Sequence, residues 1–420
     1  MKITLLAVCF LLFSVVIFGQ TFAPNYDEAK VPPYTLADPL IFNNGLPVNN
    51  RKEWKKRRAE IMSLFENEIY GKTPTGKPRI SAVVLSEDEN ACSGKAIRRE
   101  VQLTMKMNGE EVQLNVLLYL PKSGNRSPLF LGCNFNGNHT VSDDPAIKIS
   151  TSWFANNAAK GITANKSNES LRGSDASAWP IGEIIARGYG IATVYYGDID
   201  PDFDDGFKNG VHGLFKEKRD SASWGSIAGW AWGLSRVADY LEKVREVDPQ
   251  KMIVLGHSRL GKAALWAGVN DQRFSIVVSN ESGCGGAALS KRIYGETVER
   301  INTSFPHWFC KNFRKYNDKE GDLPVDQHEL LALIAPRPLY VCSAEGDKWS
   351  DPMGEFLACV AASPVYQLLG QTGFHGKDMP PLNQPVMGTI GYHIRPGKHA
   401  INAFDWSCFM DFSDHYFNLK

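Results

Sequence analysis

The chain has 420 residues, 43% of them hydrophobic and 22% charged, with 46 Lys plus Arg against 46 Asp plus Glu. That length and apolar content suffice for a large core, as one domain or one domain with an appendage, and they exclude a disordered or fibrous chain. A formal net charge of zero supplies no global field for nucleic acid or an acidic membrane surface, so recognition has to come from local sites.

Residues 1–20 carry one positive charge at Lys2, an apolar run, and a small residue, Gly19, where cleavage would fall. This is the pattern of a secretory signal peptide, so a secreted or periplasmic protein with no membrane attachment after cleavage is expected, with 21–420 as a single catalytic domain. Seven cysteines remain, at Cys92, Cys133, Cys284, Cys310, Cys342, Cys359 and Cys408. An odd count leaves at least one unpaired; Cys133 and Cys342 read as buried thiols, and Cys284 with Cys310 is the expected bridge. No C-x-x-C or clustered Cys/His spacing suggests a zinc site, and no cofactor is expected.

In chain order, residues 21–60 predict an irregular lead-in and then an amphipathic helix to Tyr70, with the basic run Arg51 to Arg58 as its solvated face. Alternating segments Ala96 to Met105 and Glu111 to Leu120, joined through Asn108-Gly109, predict a hairpin. Pro128 to Cys133 is the first fully apolar strand, and the loop Asn134 to His139 after it reads equally as an oxyanion donor or a surface turn. Residues 140–178, rich in Ser, Asn, Asp and Gly, predict a long loop of the binding or lid kind. A helix from Trp179 to Arg187 and a strand from Gly190 to Tyr196 follow. The acidic loop Asp198 to Asp205 lacks EF-hand spacing and reads as solvated, and Ala222 to Val247 as a long helix stopped by Asp248-Pro249. Further strands at Met252 to Leu255, Ser275 to Ser279, Leu339 to Ser343 and Thr389 to Ile394, and a helix around Gly354 to Ala362, complete an alternation that implies a mostly parallel sheet covered on both faces.

Within that alternation, Met252 to Leu255 leads through Gly256 to Ser258 and then a helix rich in small residues. A serine on so sharp a strand-to-helix turn resembles the nucleophile elbow of α/β-hydrolases, although Leu260 stands where G-x-S-x-G has its second glycine, which comes one residue later as Gly261. Such a serine needs a base and an orienting acid, met along the chain in the order Ser, acid, His. His399, after the last strand, is the expected base. Glu281 and Asp347, each just past a strand, are both open as the acid.

The segment Gly256-His-Ser-Arg-Leu-Gly-Lys262 resembles the G-C/H-S-R-x-G-K signature of the glucuronoyl esterases, carbohydrate esterase family fifteen, whose own pattern includes the displaced glycine. Asn280 to Gly286, Asp326 to Arg337, Asp347 to Pro352 and Gly397 to Trp406 extend the resemblance over most of the chain after about residue 110. It implies an α/β-hydrolase, a three-layer sandwich with N-terminal hairpin strands, of the bacterial type. The implied activity is a metal-independent esterase acting on (4-O-methyl-)D-glucuronic acid esters, as in linkages between lignin and glucuronoxylan. Ser258 then matches the nucleophile, His399 the base, Glu281 and Asp347 the two positions that hold an acid, and Arg259 the oxyanion arginine. Lys262, Glu296 and Trp349 match positions that hold the sugar. At His257 the fungal members have a bridged cysteine, so that bridge is expected to be absent. The expected partners are the glucuronoxylan or lignin-carbohydrate ester alone, without nucleic acid or membrane, and the expected state is a monomer. A prolyl-oligopeptidase-like peptidase, an acetyl-type carbohydrate esterase and a catalytically silent polysaccharide-binding protein are the alternatives.

Overall fold

The computed structural model describes residues 22–419, so the expected signal segment lies outside the described residues. Nine strands make one sheet in the order β1-β2-β3-β5-β4-β6-β7-β8-β9. They are β1 (Arg79–Asn90), β2 (Ala96–Met107), β3 (Glu110–Pro121), β4 (Ser127–Asn134), β5 (Gly190–Tyr195), β6 (Val247–His257), β7 (Phe274–Asn280), β8 (Leu339–Ala344) and β9 (Ile390–Arg395). The helices are α1 (Arg51–Glu68), the single turn α2 (Ala91–Gly94), α3 (Ile181–Ala186), the single turn α4 (Tyr196–Ile199), α5 (Ser226–Leu241), α6 (Arg259–Asn270), α7 (Val298–Ser304), α8 (Gln327–Ala332), α9 (Pro352–Leu368) and α10 (Ala403–Phe417). The first three strands and the β3/β5 pair are antiparallel, the rest parallel. Every residue of β4, β5, β8 and β9 is buried, because helices cover both faces of the parallel part. A large core lies on the side of α5, α6 and α9, and a smaller one under α3 and α10. This is the expected α/β-hydrolase sandwich, with the predicted hairpin as β2 and β3.

The helix expected from Ala222 to Val247 is shorter. It ends at Leu241, and Val247 already pairs with Ser127, so Asp248 and Pro249 belong to β6. The register between β4 and β6 shifts between Ser127 and Leu129, and such an irregularity admits a proline that cannot donate to a ladder. The α10 helix, begun by a capping box between Asn402 and Asp405, was not among the expected elements. Residues 140–178 form the expected long loop, punctuated by one-turn 3-10 segments at Ala158–Lys160, Glu169–Leu171 and Ala176–Ala178.

Two charged runs expected in solvent are partly inside. On α1, Arg57 is 4% exposed and bonds Glu329 at 3.1 Å, while Arg58 donates to the carbonyls of Leu333 and Val269, tying the helix to α8 and α6. In the acidic loop Asp198, Asp200 and Asp202 are all sequestered from water. Each correction has one physical cause: a buried charge is tolerated when it is paired or, as Asp198 is by the Ser152 hydroxyl and the Asn115 N–H, hydrogen-bonded, and such partners are invisible in a residue's type. Arg57→Ala should cost about 3 kcal/mol of unfolding free energy, because it strands a fully buried carboxylate. Burial already pushes Glu329 up to about 7 against the pull of Arg57, so the cost, read from urea titrations, should shrink as pH falls and Glu329 takes a proton. A loss below 1 kcal/mol at pH 8 would contradict the pairing.

The bridge expected between Cys284 and Cys310 is absent, and all seven described cysteines are free thiols. Cys310 sits at the end of α1, its sulfur 3.7 Å from the Asn67 carbonyl. Cys284 lies in the loop after β7, close enough to feel the charges of Glu296 and Lys262. Each side chain is already packed in its own surroundings.

Candidate active site

Ser258 stands between β6 and α6 with φ 57° and ψ −130°, a strained backbone that an L-residue adopts only where the surroundings impose it. The imposing contacts are close. A Cβ on Gly256 would lie 2.0 Å from the Leu260 carbonyl oxygen, and one on Gly261 would lie 2.9 Å from the Ser282 Cβ. The displaced glycine is therefore the one that lets α6 approach the loop after β7. At the start of α6 the Gly261 N–H already donates to the Ser258 carbonyl at 2.8 Å, which leaves the Arg259 and Leu260 N–H groups as the ones without an intrahelical acceptor, the kind of donor that can meet an oxyanion.

Ser258 opens onto a cleft of about 410 Å³ shared with His257, Arg259, His399, Phe135, Asn136, Phe154, Lys160 and Tyr196. The loop after β4 thus contributes Phe135 and Asn136 to the cleft. Its other polar side chains are used internally: the Asn134 side-chain amide donates to Asn138 and Thr193, and its oxygen accepts from the Gly137 N–H.

His399 follows β9, and both candidate acids reach the same ring nitrogen. Its Nδ1 is 2.6 Å from Asp347 Oδ2 and 3.1 Å from Glu281 Oε2. The convergence follows from topology, since Glu281 directly follows β7, Asp347 follows β8, and the two strands are parallel neighbours. Glu281 is the more firmly fixed. Arg395 Nη2 donates to its Oε1 at 2.5 Å and the Ala400 N–H to its Oε2 at 3.0 Å, and Arg395 is itself held by the buried Asp405. Burial pushes the Glu281 carboxyl up to about 7, although His399 and Arg395 pull the other way. Burial would raise Asp347 too, but its bond to His399 holds it below the usual carboxylate range. For His399 burial favours the neutral ring, yet the two carboxylates outweigh it and hold the pKa near 9.

His257 lies beside His399, ring centroids 4.4 Å apart, and its Nδ1 is hydrogen-bonded to the Asn280 side-chain oxygen. Burial, then the nearby His399, depress it to about 3, so it stays neutral. At the position where the fungal pattern has a bridged cysteine, a hydrogen bond from His257 thus joins the end of β6 to the end of β7.

Arg259 is held by a residue that sequence reasoning placed in solvent. Asp202 accepts from Arg259 Nη1, from His307 Nε2 at 2.8 Å, from Trp308 Nε1 at 2.7 Å and from the Tyr196 hydroxyl at 3.1 Å. Burial alone would raise this carboxyl, but His307, Arg259 and Trp308 hold it down at about 2. The guanidinium lies 4.6 Å from the Trp308 ring centroid, and the Lys262 ammonium 5.7 Å from the same ring. Arg259 and Lys262 therefore do face one side, as their spacing on α6 suggested.

Lys262 and Glu296 are brought together but are almost wholly buried, at 4% and 8% exposure. The ammonium donates to the Ser282 carbonyl at 2.7 Å and stands 3.8 Å from Glu296. Burial lowers the lysine's pKa and raises the glutamate's, each opposed by the other's charge. The Glu296 N–H donates to the Trp349 carbonyl at 3.0 Å, so these residues form one connected patch beside Asp347. Asp202, His307 and Arg395 went unrecognised as contributors because none lies in a motif; only the density of carboxylates in 198–205 hinted at a partner for the arginine. Among the described residues two sets of side chains could hold an ion, His257 with Glu281 and His399, and Cys342 with His393 and Asp405. The first is the triad cluster and the second is fully buried.

A family model described as glucuronyl esterase, fungi, matches residues 181–370. A carbohydrate esterase of an unknown prokaryotic organism is 49% identical over 406 residues, spanning 95% of this chain and 94% of that protein. Among solved structures, a promiscuous CE15 esterase from a marine bacterial metagenome superposes with a TM-score of 0.88 at 50% identity, covering 94% of this chain and all of the other. The glucuronoyl esterase of Solibacter usitatus gives a TM-score of 0.86 at 46% identity, covering 92% and 99%.

Proposed function

The chain belongs to the glucuronoyl esterases of carbohydrate esterase family 15, and from that membership we propose how its residues divide the hydrolysis of a D-glucuronate ester. Ser258 is the nucleophile. His399 takes the hydroxyl proton as Ser258 attacks the ester carbonyl, and the developing oxyanion is met by the backbone N–H groups that open α6 and by the Arg259 guanidinium. His399 then returns the proton to the departing alcohol, leaving the uronate esterified to Ser258. Water, deprotonated by the same imidazole, releases the acid. Glu281 and Asp347 share the task of orienting the ring and stabilising its charged form. Lys262, Glu296 and Trp349 bind the sugar. The convergence of the two carboxylates on His399 beside a strained Ser258 and a clamped arginine is the observation that carries this reading.

The reading is tested by offering the enzyme benzyl D-glucuronate, a chromogenic prolyl peptide and 4-nitrophenyl acetate. Turnover of the uronate ester with no peptide cleavage is expected. Cleavage of the peptide alone would favour the peptidase alternative, and a higher kcat/KM for the acetate would favour an acetyl esterase.

Asp202 gives a narrower prediction. Asp202→Asn removes the charge that anchors Arg259 while keeping its shape, and should lower kcat/KM for the glucuronate ester by roughly 10- to 100-fold, less than the roughly 10²- to 10³-fold that outright loss of one oxyanion donor costs, because Arg259 itself is still present. Steady-state kinetics check this, and an unchanged kcat/KM would remove Arg259 from the oxyanion role.

A further inference from the structure

The segment before α1 does more than lead into the domain. Phe22 presents its ring edge-on to Trp349 at 6.0 Å, and it is the one aromatic neighbour of that indole among the described residues. Phe22 also meets the Arg300 guanidinium on α7, 5.3 Å from the ring centroid. Three residues on, the Asn25 carbonyl accepts from the Gly295 N–H at 2.9 Å, and Gly295 precedes Glu296, whose own N–H binds the Trp349 carbonyl. Gly295 has φ 65°, and a Cβ there would lie 2.4 Å from the Trp349 carbonyl oxygen, so the two segments touch backbone to backbone. The Tyr26 carbonyl accepts from the Tyr294 hydroxyl at 3.2 Å. Finally, the Glu28 carboxylate takes both 2.7 Å and 2.9 Å contacts from Arg292 Nη2, and Arg292 Nε donates to Asp351, which caps α9 just past Trp349.

Residues 22–28 thus touch both segments that carry the sugar-binding candidates, 292–300 and 348–351, which are also joined to each other through Glu296 with Trp349 and Arg292 with Asp351. Trp349 is only half-buried, and a partly exposed indole keeps rotational freedom unless something holds it. We propose that residues 22–28 are a strap that positions Trp349 and Glu296 for the uronate sugar, with Phe22 and Glu28 as its two fastening points. Tyr26 lies close enough to Asp347 for that charge to help raise its phenol, after burial, which places the strap at the rim of the catalytic loop. Phe22 and Glu28 are positioning residues, since they act through Trp349 and through Arg292. The proposal rests on the reading of Trp349 and Glu296 as sugar contacts.

The test compares wild type with Phe22→Ala, Glu28→Gln and the double variant in two assays. The first is steady-state hydrolysis of benzyl D-glucuronate, resolved into kcat and KM. The second is the rate at which phenylmethylsulfonyl fluoride sulfonylates Ser258, a reaction that needs the triad but no sugar. The expected result for the double variant is a rise in KM of about tenfold, with kcat and the sulfonylation rate within about twofold of wild type. An unchanged KM overturns the proposal, and so does a sulfonylation rate that falls in step with kcat/KM, which would make the strap a support for the whole loop. If the double variant fails to fold, Phe22→Ala, which removes one edge contact at a partly exposed position, decides between the same outcomes. Failure of the wild type to hydrolyse benzyl D-glucuronate would instead sink the functional reading beneath it.

Discussion

Ser258→Ala is expected to lower kcat for benzyl D-glucuronate by roughly 10⁶-fold, and His399→Ala by a similar factor, because each removes a step that the other cannot perform alone. The double variant should be no worse than either. That non-additivity is the signature of a nucleophile and base acting as a unit, and independent losses that multiply would contradict it. The backbone around Ser258 bears on the interpretation. Its φ of 57° is imposed by Gly256 and by the packing of α6, so alanine inherits the strained conformation and the fold should survive. Retention of more than about 1% of wild-type kcat in Ser258→Ala would move the nucleophile elsewhere.

The second large effect concerns the acid. With Asp347 and Glu281 both on His399 Nδ1, Asp347→Asn and Glu281→Gln should each lower kcat/KM by roughly 10- to 100-fold, while the double substitution approaches the 10⁴-fold loss typical of a triad without its acid. The pH profile separates this from damage. Only the neutral imidazole can accept the serine proton, and the two carboxylates hold His399 near 9 by favouring the charged ring. Activity of the wild type should therefore rise with pH towards the alkaline side. Removing either carboxylate lowers the pKa of the ring, so the acid limb of kcat/KM should move to lower pH in both single variants. A limb that stays in place in one variant would show that its carboxylate does not serve the histidine in solution.

Much of this architecture was legible in the residues. Apolar runs located β4 to β9, the Asn108-Gly109 dipeptide located the hairpin, and Gly256, Ser258 and Gly261 located the elbow. What spacing could not decide was which acid serves His399, because it records that Glu281 and Asp347 each follow a strand but not that those strands are neighbours. Nor could it tell a solvated carboxylate from a buried one. Asp202 and Arg57 owe their roles to partners 57 and 272 positions away. Pro249 misled in a different way, since it reads as the stop of a helix yet lies inside β6, where the register with β4 slips. These misses share a cause: pattern along the chain reports the local environment of a side chain only when its partner is also local.

The free thiols carry a consequence for where the protein can work. Burial raises all of them, to about 11 for Cys310 and about 12 for Cys408 and higher for several others, so thiolate is scarce at neutral pH. No covalent cross-link holds the described chain together, and nothing readily offers itself to form one. The molecule should accordingly fold and turn over substrate with equal ease in dithiothreitol or in air, its endurance governed by acidity and salt and indifferent to redox potential.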